Sequence, residues 1–421
     1  MANTFNLGNG NWAQKTEKLL AYNAENNNYK PLPFSFDRAS TATVVNKNGL
    51  IETVGVDEPR IDFLNNTKGH LLLEPSRQNE VTSSDLLPNL YWGTQGCTIS
   101  SSSDTTSPDG ASEVAKLAVD TTGAFKGIRR QESTAWNGKT ITISTFVKYI
   151  NSDYIFFYTI NAVGGNNGIW FNIANGTVGT TQDAWSNAKV EDYGNGWYRC
   201  SANVTFNASG TCYLYILDAD NDTNINTTIG NQAYIWGTQL EEGSYATSYI
   251  PTSGSAVTRS ADYCYQDNLL TDIINASYPF TMYAEAKAVF DNSQNFLTFG
   301  NRAISNQYFT FVLNSDGTIK LDARANGISE DLVSTASAIS NGEFFKVAVS
   351  MESATSGKIS VNGNLDSKTN FTQQSVNTAI NDLLVGMLRT ATDTGRRMPI
   401  KEVKLYNTAL SDSELQALTS N

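Results

Sequence analysis

Histidine is almost absent: His70 is the only one in 421 residues. That excludes a metal centre built on imidazoles and leaves too few bases for a triad alongside metal ligands. Cysteine is scarce as well, and Cys97, Cys200, Cys212 and Cys264 are irregularly spaced. Neither a disulfide scaffold nor a zinc cluster is expected. If a hairpin turn occupies residues 207–210, Cys212 falls opposite Thr205 and the Cys200 and Cys212 thiols lie on opposite faces, so buried free thiols are expected. Only 17% of residues are charged and the net charge is -12. No basic surface is available to neutralise a nucleic-acid backbone, which argues against nucleic-acid binding. No apolar run approaches the roughly 20 residues of a membrane span. No membrane insertion is expected, and the opening residues lack a basic-then-apolar leader. Also missing are a Gly-x-Ser-x-Gly elbow, a phosphate loop and a His-Glu-x-x-His helix.

Asn, Ser, Thr, Gly and Tyr recur instead, beside short apolar runs. VAKLAV, TITISTFVKYI, YIFFYTIN, GIWFNI, WYRCSANVTF, TCYLYIL and YIWGTQL alternate with turn residues, and PFTMYAEAKAVF, QYFTFVLN, FFKVAVSME and PIKEVKLYNTAL continue the pattern. In WYRCSANVTF, Tyr198, Cys200, Ala202, Val204 and Phe206 share a face opposite Arg199, Ser201, Asn203 and Thr205. The expected fold is all-β: two antiparallel β-sandwich, jelly-roll-like domains preceded by a small β-rich N-terminal module. The expected divisions are an arm at 1–30 open to a partner, with a short helix at 14–24; a module at 31–87; a sandwich at 88–252; a linker at 253–274; and a second sandwich at 275–421. Ser411 and Glu414 have capping-box spacing, which predicts a short C-terminal helix. Arg38, Arg60 and Arg77 alternate with Asp37, Glu58, Asp62 and Glu74 around the turns of the module, and they read as ion pairs or turn contacts where no large core exists.

Glu241 and Glu242 are the most conspicuous acid pair. Neighbours on a strand point to opposite faces and cannot flank one glycosidic bond, so no catalytic residue is assigned. Trp236 and Leu240 are expected to close the sandwich core, with Tyr245 and Tyr249 fastening the chain that leaves it. Sugar recognition needs an exposed aromatic ring with polar neighbours. Trp170, with Asn166, Asn167 and Asn172 beside it, is the first candidate and Trp185 the second; Trp197 reads as core. Tyr154, Phe156 and Tyr158 share a face that is either core or binding surface. Asp218, Asp220 and Asp222 alternate as at the start of a calcium loop, though Thr223 and Ile229 stand where an EF-hand needs Gly and Glu. An irregular calcium site against a solvated turn is the choice left open there.

FSFDRASTATVVNKNGLIETV, then PRIDF and LLLEPSRQN, resembles an N-terminal module of tailed-bacteriophage structural proteins. EDYGNGWYRCS, DADNDT and IWGTQLEEGSYATSYIPTSGSAVTRSAD resemble the carbohydrate-binding-module-like sandwich of the same proteins, and IKEVKLYNTALSDSELQAL resembles the end of a laminin-G or concanavalin-like lectin domain. The resemblance implies a virion component, a tail or head fibre or other outer appendage. Its lectin-like domains would adhere to surface glycans and its partners would be other virion proteins, commonly in homo-oligomers such as trimers. It implies no reaction. A glycan-cleaving depolymerase and a purely architectural virion protein are the alternatives.

Overall fold

The alternating apolar residues become strands in the computed structural model, which describes residues 5–15, 18–23, 28–84, 92–121, 125–131, 136–165, 167–222, 225, 227–268, 278–289, 293–301, 304–325, 328–372, 382–387 and 398–420. The protein is all-β, with large antiparallel sheets and, among the described residues, one helix at Asp412–Thr419. That helix carries the expected capping box of Ser411 and Glu414, and it is too short to cross a membrane. Two compact units are interleaved along the chain. One is built from Met1–Thr41, Val54–Ser76 and Ser260–Asn421, the other from Ala42–Thr53 and Arg77–Arg259.

This corrects the division expected for the first third of the chain. Residues 1–30 are no free arm: Phe5–Gly8 pairs with Ile400–Tyr406, and Lys18–Asn23 pairs with Asn28–Asp37. The expected helix at 14–24 is replaced by the strands Ala13–Lys15 and Lys18–Asn23. Leu19 and Ala21 there enter the same core as Phe5, Leu7, Phe34 and Phe36, and tertiary burial overrides the helix-forming composition. Residues 31–87 are likewise no separate module, because their length is shared between the two units.

In the first unit the pairing runs from Asn364–Lys368 through Ser356–Val361, Phe344–Ser353 and Phe280–Lys287 to Ile400–Tyr406. The N-terminal strands continue it to Tyr263–Gln266, and from there it passes through Asp382–Val385, Gln294–Asn301 and Ile304–Leu313 to Ile319–Ala325. Met282, Val349, Ile359, Phe299, Phe311 and Leu321 line the shared interior. Two of the module arginines, Arg38 and Arg60, do form ion pairs, but not at a surface. Arg38 and Arg60 are buried, and both reach Asp262, some two hundred residues later in the chain.

His70 lies opposite Asp62 across a short strand pair. Burial, with Lys287 beside it, pushes the His70 imidazole down to about 3, whereas burial pushes the Asp62 carboxyl up to about 6. The signs oppose. Between 6.5 and 3 the native state binds fewer protons at His70 than the unfolded chain, so that contribution is lost as pH falls. Between 3.8 and 6 the native state binds more protons at Asp62, and that contribution grows as pH falls. Asp62→Asn should therefore leave the histidine uncompensated, with stability relative to the parent protein falling by about 1.4 kcal/mol for each pH unit of acidification between pH 6 and 3.8. Urea unfolding across this range checks it, and parallel curves for the two proteins would refute it.

The second unit is a two-layer sandwich joined by one long strand, Trp197–Leu217. Its first half pairs with Thr140–Tyr149 and Trp185–Asp192, its second with Tyr154–Ala162 and Gly127–Gln131. The expected hairpin at 207–210 is absent. Cys200, Ala202, Val204, Phe206, Cys212, Leu214 and Ile216 all enter one core, so a single period-two register carries through both layers and outweighs the Asn-Ala-Ser-Gly turn chemistry. Cys200 and Cys212 thus share a face instead of opposing each other. All four cysteines are buried and free, as expected.

Candidate functional site: an aromatic sheet face

The strand Gln232–Glu242 separates Glu241 from Glu242. Glu241 is fully buried and accepts from Thr247 N at 2.8 Å, Thr247 Oγ1 at 2.6 Å and Gln239 Nε2 at 2.7 Å. Glu242 is exposed and pairs with Lys139. The pair is structural, holding the chain that leaves the strand. Trp236 and Leu240 do not share the core face that sequence alternation assigned them. Gly237 takes φ +61° beside a register shift, and this bulge turns Ile235 and Leu240 into the core while Trp236 packs on Phe146 and Tyr249. Tyr249 fastens the departing chain through Ser84, its hydroxyl 2.6 Å from Ser84 Oγ, and Tyr245 lies under the Arg77 guanidinium.

The sugar platforms expected at tryptophan are corrected by burial. Trp170 is 1% exposed and stacks on Phe156 with ring centroids 4.1 Å apart. Trp185 is 5% exposed, joins the sandwich core beside Phe157 and donates its indole N–H to Asn167 O at 3.2 Å. Trp170 sits on a strand paired on both sides and Trp185 turns into the core from an edge strand, and neither ring offers solvent a free face. Asn172 uses Oδ1 to accept from Ala174 N and Asn175 N, which spends it on a turn; Asn166 lies outside the described residues. Trp197 is core, as expected.

The three aspartates do not converge. Asp218 accepts from Thr228 N, Thr228 Oγ1 and Asn231 Nδ2, while Asp220 turns to Thr180 N and Thr180 Oγ1. Among the described residues no trio of His, Cys, Asp or Glu is placed to hold a metal ion. The calcium site expected at Asp218, Asp220 and Asp222 is therefore not assembled, and Asp218 and Asp220 brace loops instead.

What the structure does assemble is a sheet face that tryptophan-centred reasoning passed over. Across Gly127–Gln131, the second half of Trp197–Leu217, Tyr154–Ala162 and Asn167–Asn172, two rows of side chains run side by side. The inner row is Gly127, Tyr215, Phe156 and Trp170, and the outer row is Arg129, Tyr213, Tyr158 and Gly168. The opposite face of these strands, with Ile128, Leu214, Phe157 and Ile169, is sandwich core. Glycine is required at the end of the outer row, because a Cβ on Gly168 would stand 2.3 Å from the Phe156 ring.

Tyr215, Phe156 and Trp170 form a buried base with Leu217 and Ile225, while Tyr154, Tyr158 and Tyr213 are half-exposed around it. Tyr213 stacks on Tyr215 at 5.4 Å, with an interplanar angle of 22°. Phe125, exposed, stands 6.0 Å from Tyr215 and 6.4 Å from Tyr158. Phe125 and Ile225 both adopt left-handed backbone, at φ +63° and +51°, and Phe125 N donates to Ile225 O. Bulky residues rarely hold that conformation, so two of them tied together at the edge of the aromatic face mark a geometry that the surroundings impose.

Burial, with Tyr213 close by, raises the Tyr158 phenol above its ordinary value. Its hydroxyl therefore stays protonated at neutral pH, both donor and acceptor. Arg129 is exposed at the end of the row and lies along Gly93; no ion pair to it exists among the described residues. The signal in the sequence was the alternation of TCYLYIL, which puts Tyr213 and Tyr215 opposite Cys212 and Leu214. Rings with hydroxyl rims and one cation suit an apolar-faced, hydroxyl-rich ligand.

Comparison with curated proteins found no match. Among solved structures, the Ruminococcus gnavus IT-sialidase CBM40 bound to α2,3-sialyllactose is similar at 20% identity and TM-score 0.32, covering 37% of this chain and 91% of that one. The leech intramolecular trans-sialidase is similar at 23% identity and TM-score 0.31, over 35% of this chain and 24% of that one. The Streptococcus pneumoniae NanB sialidase K499G mutant is similar at 22% and 0.32, over 37% of this chain and 26% of that one. A family model matches less than half of the chain: residues 259–416 fit the concanavalin A-like lectin/glucanases superfamily, which makes the C-terminal sandwich lectin-like, as its closing strand and helix led us to expect.

Proposed function

We propose that this is a non-enzymatic glycan-binding protein and that its second unit holds sugar on the row of Tyr158 and Tyr213, capped by Arg129. The observation that carries the reading is a half-exposed aromatic row on a sheet face whose reverse is core. Solvated tyrosines of this kind stack on the apolar side of a pyranose while their hydroxyls bond its rim. The guanidinium favours ligands bearing a carboxylate or other anionic group. The N-terminal and central stretches that resemble tailed-bacteriophage structural proteins support a finer reading, in which the chain is a homo-oligomeric virion component at the outer surface or on a tail appendage, in contact with other virion proteins.

Tyr158→Ala and Tyr213→Ala should each weaken retention on a glycan array by about tenfold, ~1.4 kcal/mol. Binding unchanged in both would remove the site. Shortening of host polysaccharide by the purified protein, followed through its reducing ends, would instead establish a depolymerase.

A further inference from the structure

On the face of their strand pair turned away from the core of the first unit, Asn6, Glu402 and Lys404 meet. Asn6 and Lys404 are direct cross-strand partners, and Glu402 follows on the same face of the strand that holds Lys404. Opposite Glu402 stands Gly8, with no side chain to fill the position, and Glu402 accepts the Asn6 amide instead. Asn6 Nδ2 and Lys404 Nζ both lie 3.0 Å from one oxygen, Glu402 Oε1. Asn6 and Glu402 are buried, Lys404 is mostly covered and its ammonium sits 5.1 Å from the Tyr283 ring centroid. Tyr283 is itself packed under Leu415 of the helix. Asn6 Oδ1 is buried and has no hydrogen-bond partner.

An amine, a carboxamide and a carboxylate held in one water-poor contact are the reactants and the proton carrier of an amide exchange. We propose that Lys404 and Asn6 become joined by an isopeptide bond, with Glu402 as the proton shuttle. Glu402 takes a proton from the Lys404 ammonium, and the freed Nζ lone pair attacks Asn6 Cγ, forming the new C–N bond. The tetrahedral carbon then collapses as Glu402 returns that proton to Nδ2, the Cγ–Nδ2 bond breaks and ammonia leaves, while the second Nζ proton passes to Glu402 and leaves its carboxyl protonated. Atoms and charge balance with no oxidant, reductant or metal. Once the Asn6 amide has turned, the protonated Glu402 carboxyl also supplies the partner that Oδ1 lacks.

The test is the intact mass of the purified full chain under denaturing conditions, followed by proteolysis. The expected mass is one ammonia below that of the sequence, allowing for removal of the initiator methionine, with a branched peptide joining the Asn6 and Lys404 segments. Glu402→Gln keeps the shape but cannot carry the proton, and Lys404→Arg cannot form the bond; each should restore the full mass. A parent protein at full sequence mass overturns the proposal. So does a missing ammonia that persists in Lys404→Arg, which would report succinimide closure at an asparagine.

Discussion

Asp262→Ala is expected to cost the first unit on the order of 3–5 kcal/mol, the effect of removing one partner from a buried ion pair. Asp262 has no exposed side-chain surface and serves three donors. Its Oδ1 accepts from Arg38 Nη1 at 3.2 Å, and its Oδ2 accepts from Arg60 Nη2 and from Glu74 N, the latter at 2.8 Å. Glu74 also meets Arg60 Nη1 at 2.8 Å, so the substitution would take a carboxylate from both buried guanidinium groups and leave Glu74 paired with Arg60 alone of the two. Arg38 would keep the carbonyls of Ser40, Glu58 and Gly55. Calorimetry should show a lowered transition for this unit, and Asp262→Asn should fall between the two because it keeps the shape and loses the charge. A change below about 1 kcal/mol in the alanine variant would mean that the cluster tolerates its own charge.

Trp170→Ala should destabilise the second unit by about 3–5 kcal/mol, the range for truncating a buried tryptophan. The indole fills the base of the aromatic face against Phe156, Leu217 and Ile225, so its truncation leaves a cavity there. Its role is therefore separable from that of the tyrosines above it. At a temperature where the variant remains folded, glycan retention should drop less than in Tyr213→Ala. If Trp170→Ala keeps its stability and loses all binding, the indole is itself the contact and the tyrosine row is secondary.

These expectations show where sequence reasoning reached and where it stopped. Strand period is a local property, so the core face carrying Cys200, Ala202, Val204 and Phe206 was legible from alternation alone, and so was the opposition of Glu241 and Glu242. Failures came where a distant partner decides the outcome. Gly237 reads as a strand glycine until its positive φ and the register shift appear, and only then do Trp236 and Leu240 part company. The Asn-Ala-Ser-Gly stretch is good turn chemistry, yet each half of its strand has a different sheet to join. Residues 14–24 compose a respectable helix, but Leu19 and Ala21 are needed beside Phe34. Tryptophan attracted the sugar reading because it is the larger ring. Size is also what takes it into the base of the face, leaving the smaller, hydroxylated tyrosines at the rim.

The interleaved path of the chain also sets an order of events during synthesis. Phe5–Gly8 leaves the ribosome almost four hundred residues before its partner Ile400–Tyr406 is made. At roughly 5–20 residues per second that strand waits about 20–80 s for its neighbour. Over the same interval the segment from Arg77 to Arg259, which needs little from either end, is already complete. Nascent chains arrested far enough past residue 260 for that whole segment to clear the ribosome should therefore carry a folded, protease-resistant second unit behind an apolar N-terminal strand still open to chaperones, and any early chain-chain association is expected at that strand.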